Sequence, residues 1–190
     1  MVSAMASVDR RLMRHSHAVA QLSWRLGTAM GLPTQAVAEL VWAAMLHDIG
    51  KLALPKLVLE KPERLTVAER ERVATHAQVG ADLIVGAHPG LLSVAKIVLS
   101  HHERWDGSGY PAGRPGGAIP LGSRIMAVAD VFDALTTEQP YRCRLSGEEA
   151  LRVILRAAGT HFDPDVVAVY QQYACPGFAK VRAPADSSAG

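Results

Sequence analysis

Aromatic side chains and cysteines are scarce in this sequence of 190 residues. Aromatic residues make up only 5% of the chain although 49% of it is hydrophobic, so alanine, leucine and valine provide most of the apolar surface. Small aliphatic side chains favour closely packed helices over aromatic-rich strands. The two cysteines, Cys143 and Cys175, do not form the pattern of a secreted disulfide framework. We therefore expect free thiols in a reducing cytoplasm.

The sequence also lacks a strong charge of either sign and an uninterrupted apolar run. A formal net charge of +2 is too small to indicate binding to a nucleic acid polymer or a membrane surface. The most apolar stretch, 79–100, contains Asp82, Pro89 and Lys96, which excludes a membrane-spanning helix. The polar, arginine-rich residues 1–14 have no apolar segment and do not resemble a signal peptide. We expect a cytoplasmic protein.

Apolar residues recur at helical spacing, and no alternating strand pattern is evident. The pattern predicts an all-α fold, a single compact bundle of about seven helices within 1–175, followed by a frayed tail at 176–190. Two capping boxes, Thr66 with Glu69 and Ser146 with Glu149, predict helix starts. The expected helices cover about 7–30, 34–48, 66–87, 91–102, 122–137, 146–158 and a last segment from 163.

The longest irregular segment, 103–120, is rich in glycine and proline. A structureless loop of this length within a compact domain is usually functional.

Histidines and aspartates occupy positions that a helical bundle would normally fill with apolar residues or use to end a helix. Each residue alone has an ordinary structural explanation, but five consecutive predicted helices each contribute to the set. Buried carboxylates need a cation or several donors, and imidazoles with carboxylates are typical metal ligands. A set this large suits two ions that share a carboxylate, an arrangement used for phosphoryl transfer. The set comprises His15, His47, Asp48, His76, His101, His102 and Asp130.

Three motifs make the prediction more specific. The segment Leu46–Lys51 reads Leu-His-Asp-Ile-Gly-Lys and resembles the signature of the HD superfamily of metal-dependent phosphohydrolases. The eleven residues from His101 to Pro111 resemble the hallmark of its HD-GYP branch, whose members are cyclic di-GMP phosphodiesterases. Asp130–Thr136 and the later Pro140-Tyr141-Arg142 extend the resemblance over about residues 10–170.

The resemblance implies a role for each matching residue. His15, His47, Asp48 and Asp130 would bind one ion, and Asp48 would bridge to a second ion held by His76, His101 and His102. Asp48 and Lys51 would be catalytic, with Lys51 supporting the substrate phosphate or the developing charge. Gly109, Tyr110, Pro111 and Arg142 would bind the substrate. A metal-bridging hydroxide would open cyclic di-GMP to linear pGpG, to GMP, or to both.

Two positions depart from the family pattern. Members with three ions carry glutamate four residues before the His15 position, where this chain has Arg11, so we expect two ions. The family usually has arginine before its Pro-Tyr pair, where this chain has Gln139 and loses one charge-assisted phosphate contact. Glu103 and Asp106 are interpreted as residues that support ligands or hold the loop rather than as ligands.

Alternatives remain open from the sequence alone. The chain is either a cyclic di-GMP phosphodiesterase, an HD phosphohydrolase of another nucleotide, or a catalytically weak module that binds cyclic dinucleotides or proteins. Iron or manganese is the expected metal, and zinc, cobalt or nickel would also suit these ligands. A sensor or receiver domain, or a separate regulatory protein, is an expected partner. The oligomeric state is not predicted.

Overall fold

The computed structural model describes residues 10–59, 61, 63–138 and 143–174. These residues form an all-α fold, as the sequence predicts, and extended pairing among them is limited to one bridge between Ala158 and Phe162. The predicted tail 176–190 lies outside the described residues. The helices are α1 (Arg10–Ala29), α2 (Thr34–Leu46), α3 (Lys56–Leu59), α4 (Val67–Ala74), α5 (His76–Ala87), α6 (Leu92–Leu99), α7 (Leu121–Thr136), α8 (Gly147–Arg156) and α9 (Pro164–Ala174).

Both predicted capping boxes are present. The Thr66 hydroxyl accepts a hydrogen bond from the backbone N–H of Glu69, whose carboxylate accepts one from the backbone of Thr66. Ser146 and Glu149 make the same reciprocal pair at the start of α8. Each box satisfies backbone donors that the first helical turn leaves without intrahelical partners.

The predicted third helix, 66–87, is wrong as a single element, because the chain divides at Thr75 into α4 and α5. The Thr75 N–H donates to the carbonyls of Arg72 and Val73, which closes α4. The break places His76 at the first position of α5, where its ring is buried. The division and the short α3, which apolar spacing did not reveal, raise the number of helices in the described residues from about seven to nine.

The core lies between α1, α2, α6 and α7, with α8 and α9 closing one side. Helix α1 packs along both α2 and α7, while α5 packs against α6. The largest fully buried apolar side chains include Leu26, Leu40, Ile125, Ile154 and Tyr170. No helix in the described ranges is long and apolar enough to cross a membrane.

Two glycines let the chain approach itself closely beside the histidines. After α2 the chain turns through a short 3₁₀-helix, Ile49–Ala53, that packs on α5. A Cβ atom at Gly50 would collide with the carbonyl oxygen of His76 and the backbone nitrogen of Gly80. A Cβ atom at Gly109 would collide with the backbone of residues 102–104. Both contacts require glycine because it has no side chain.

Candidate metal centre

Asp48 lies where α2 ends, and its carboxylate faces histidines on two sides. Its Oδ2 is 3.4 Å from Nε2 of His47, and its Oδ1 is 3.5 Å from Nε2 of His76. Lys51 donates to Oδ2 at 2.7 Å from one turn further along the chain. Burial would raise the pKa of Asp48, but the positive potential of His47 and Lys51 holds that pKa well below its ordinary value. The carboxylate is therefore ionised.

Three histidines from α5 and the turn after α6 form the histidine group, His76, His101 and His102. One ring nitrogen from each lies within 4.8 Å of the others. The Nε2 atoms of His76 and His101 are 3.3 Å apart. Burial lowers the pKa of His76, and it lowers the pKa of His102 to about 4. These imidazoles are neutral near pH 7, which is the form that binds metal.

A second cluster, the mixed group, consists of His15, His47, Asp48 and Asp130. The first three offer one ligand atom each within 4.8 Å of one another. Asp130 joins them through its Oδ1, which is 3.1 Å from Nε2 of His15. Helices α1, α2 and α7 thus bring two imidazoles and two carboxylates to one place. Within the mixed group, Asp48 also faces His76 of the histidine group.

His15 differs from the other histidines because a second carboxylate contacts its ring. Asp133, one turn after Asp130 on α7, places Oδ2 2.6 Å from Nδ1 of His15. Burial would lower the pKa of His15, but hydrogen bonds with both aspartates raise it to about 10. Asp133 was not among the residues predicted for the site, although its spacing from Asp130 puts both on one face of α7.

The loop 103–120 is held against the site by a buried carboxylate. Glu103 accepts hydrogen bonds from the backbone N–H groups of Ala112 and Arg114, at 2.8 and 3.0 Å. Asp106 accepts from the backbone N–H of Ser108 at 2.9 Å. Both carboxylates therefore hold the loop, as expected from the sequence.

Tyr110 lies directly beside the histidine group. Its ring packs against His102 with centroids 4.8 Å apart, and its backbone N–H donates to the His102 carbonyl at 3.2 Å. Its peptide bond to Pro111 is cis. Burial, together with the charges of Asp48 and Asp130, raises the pKa of the Tyr110 hydroxyl, which keeps it protonated as a donor. Gly109, predicted to line the substrate side, has a packing reason for being glycine.

The structure brings together all seven residues predicted as metal ligands and places Lys51 beside them. Arg11 is exposed on α1, one turn before His15, and its predicted effect on a third ion stays a prediction. Gln139 and Arg142 lie outside the described residues.

Comparison with known proteins identifies the family of this chain. The model of a family described as HD domain matches residues 1–166, and the chain belongs to the HD domain family. A probable cyclic di-GMP phosphodiesterase of Vibrio cholerae is 43% identical over 167 residues, which cover 82% of this chain and 38% of that protein. A cyclic di-GMP phosphodiesterase of Thermotoga maritima is 40% identical over 163 residues, which cover 85% and 44%. This chain thus spans about two fifths of these relatives' length.

A solved structure supports the fold. The cyclic GMP-AMP specific phosphodiesterase V-cGAP3 of V. cholerae superimposes with a TM-score of 0.67 and 26% identity. The match covers 86% of this chain and 44% of that one.

Proposed function

We propose that this chain is a metal-dependent phosphodiesterase domain that hydrolyses cyclic di-GMP to linear pGpG, to GMP, or to both. The observation that carries the proposal is the position of Asp48, whose two carboxylate oxygens face His47 and His76. A carboxylate between two clusters of imidazoles is suited to bridge two cations. The resemblance to the HD-GYP branch and the names of the relatives support the choice of substrate.

The donor atoms fit two divalent transition-metal ions. His47, His76 and His101 each use Nδ1–H to donate to a backbone carbonyl, which leaves Nε2 free to bind a cation. The mixed group would hold one ion and the histidine group the other, with Asp48 shared. Iron or manganese is our first choice, followed by zinc, cobalt or nickel. Such a pair supplies a water of lowered pKa and binds phosphate oxygens.

Lys51 and Tyr110 supply the polar groups of the chain beside this centre. Lys51 is about one-third exposed, with 31% of its side chain accessible, and its ammonium can reach a phosphate oxygen from its position on Asp48. The protonated hydroxyl of Tyr110 can donate to the same phosphate. Gly109 and Pro111 shape the loop that carries Tyr110, and Arg142 would add a further phosphate contact.

A direct comparison of turnover rates tests whether cyclic di-GMP or another cyclic dinucleotide is the preferred substrate. Relatives that include V-cGAP3 are named for cyclic GMP-AMP, so both ligands belong in one experiment. Chelator-stripped protein is reloaded with Mn²⁺ and incubated with cyclic di-GMP or 3′3′-cGAMP, and the products are separated by chromatography. We expect faster turnover of cyclic di-GMP. Preference for 3′3′-cGAMP would reassign the substrate.

The control separates an enzyme from a binding module. Asp48→Asn keeps the shape of the side chain but removes the charge that two cations would share. We expect it to bind metal poorly and to hydrolyse neither nucleotide. If the wild-type protein binds cyclic di-GMP by calorimetry but does not hydrolyse it with Mn²⁺ or Fe²⁺, the chain is a binding module and the proposal fails.

The proposal also covers the cellular location of the domain and the domains attached to it. We propose a cytoplasmic location, as expected from the sequence, in a bacterium, because the relatives come from the bacteria Vibrio cholerae and Thermotoga maritima. The greater length of the relatives leaves room for an attached sensor or receiver domain that would regulate hydrolysis.

A further inference from the structure

The site histidines orient their rings in two different ways. His47, His76 and His101 each donate from Nδ1 to the carbonyl three residues earlier, at 2.8, 2.7 and 2.5 Å. These partners are neutral and belong to the same stretch of chain as the histidine. His15 instead has its Nδ1 2.6 Å from Oδ2 of Asp133, a charged acceptor on another helix. The orientation of His15 therefore depends on α1 and α7 being packed together.

The contacts of Asp133 place it behind the histidine rather than in the centre. Nε2 of His15 faces Asp130 at 3.1 Å, while Nδ1, on the other side of the ring, faces Asp133. Asp133 is itself held, because the Thr137 hydroxyl donates to its Oδ1 at 3.3 Å. A chain of contacts thus runs from Thr137 through Asp133 to the ring of His15.

We propose that Asp133 is a positioning residue that fixes His15 to bind metal through Nε2 and strengthens that bond. The inference rests on the proposed function, since it assumes that His15 is a ligand. A carboxylate that accepts the Nδ1–H bond selects one tautomer and makes the opposite nitrogen a better electron donor. Because His47, His76 and His101 use peptide carbonyls, we expect this effect of a carboxylate to act on the mixed group.

The test is the Mn²⁺ affinity of Asp133→Asn in the full chain. Chelator-stripped protein is titrated in competition with a chromophoric chelator, which resolves two classes of bound ion. Loss of a partner behind a metal ligand typically weakens binding about 10–100-fold, and we expect this change in one class only. Asp82→Asn is the matched control, because Asp82 is an exposed helical carboxylate that contacts Gln78 and lies outside both groups. It should bind both ions as the wild type does.

Turnover at rising Mn²⁺ distinguishes positioning from a direct role. If Asp133 acts through metal binding, saturating Mn²⁺ should restore most of the activity of Asp133→Asn. A loss of turnover that saturating Mn²⁺ does not restore would overturn the inference.

Two further results separate this inference from the proposed function. A wild-type chain that binds no Mn²⁺ would refute the metal centre and, with it, the role of Asp133. If Asp133→Asn binds each of the two ions as tightly as the wild type does, the role of Asp133 is refuted while the metal centre stands.

A measurement on the wild type does not depend on how well the variant folds. In zinc-loaded protein labelled with ¹⁵N-histidine, NMR should show His15 protonated at Nδ1 and bound through Nε2. Binding through Nδ1 would overturn the inference.

Discussion

The histidine group and the mixed group differ in the protonation state of their histidines before metal binds. His76 and His101 are fully buried and His102 is partly buried, and the three rings are neutral near pH 7 because burial lowers their pKa values. The mixed group contains more carboxylate, and Asp130 and Asp133 raise the pKa of His15 to about 10. Metal would enter the histidine group without displacing a proton, whereas it would have to displace one from His15. Burial thus sets the protonation state of the histidine group, whereas neighbouring carboxylates set that of His15 in the mixed group.

The largest expected effect comes from removing the residue that both clusters share. Asp48→Ala should lower metal content and reduce turnover together. Because bound metal contributes several kcal/mol of transition-state stabilisation, we expect turnover to fall about a thousandfold or more. Elemental analysis and product chromatography on the same preparation measure both effects. Asp82→Ala is the control and should change neither. Normal hydrolysis by Asp48→Ala would refute the site.

A smaller effect should follow from separating the two clusters without removing a donor. Gly50→Ala places a Cβ atom against the backbone of His76 and Gly80, so the turn that carries Asp48 must move away from α5. Overpacking of this kind costs about 1–3 kcal/mol and should lower the melting temperature by several degrees. Calorimetry of the metal-free protein measures it.

The matched control for this change is Gly86→Ala on α5, the helix against which the turn carrying Gly50 packs. Nothing lies within 4 Å of a Cβ atom there, so alanine should stabilise α5 by about 0.5–1 kcal/mol. Equal effects of the two substitutions would show that the close approach at Gly50 does not matter.

The stability of the metal-free protein should depend on pH in opposite directions for His102 of the histidine group and His15 of the mixed group. His102 has a pKa of about 4 when folded and about 6.5 when unfolded, so the unfolded state binds more protons and stability falls as pH drops from 6.5 to 4. His15 has the opposite sign, because its folded pKa is about 10. Its stabilisation is complete below pH 6.5 and is lost as pH rises through 10.

Urea unfolding of chelator-treated protein between pH 4 and 10 measures both changes in stability, the loss toward acid pH (the acid limb) and the loss toward alkaline pH (the alkaline limb). Each group contributes a slope of at most about 1.4 kcal/mol per pH unit. His15→Gln should remove the loss of stability between pH 6.5 and 10 and leave the acid limb intact. If the alkaline limb persists in that variant, the two carboxylates do not control His15.

The smallest expected effect concerns the loop beside the histidine group. Tyr110→Phe keeps the ring that packs on His102 but removes the hydroxyl donor. Catalytic efficiency should fall by about tenfold, the value of one hydrogen bond to a charged group. Metal content and melting temperature should stay nearly unchanged. A large loss of stability would instead identify Tyr110 as a loop anchor.

The sequence alone predicted the fold class and the histidines and aspartates that the structure brings together. Apolar spacing and the two capping boxes are local signals, so they predicted α8 and the start of α4 correctly. The His47-Asp48 pair and the segment from His101 to Pro111 are contiguous and could be recognised without coordinates. All seven predicted ligand residues converge in the structure because each lies at a helix end or on a buried helical face.

Tertiary packing decided what local signals do not contain. The role of Asp133 depends on α1 and α7 lying side by side, and residues so far apart in sequence share no local pattern. The need for glycine at position 50 likewise arises from a contact between distant segments, the turn after α2 and helix α5. Helix propensity acts within a few residues, whereas the partner of a side chain is set by whichever element packs against it.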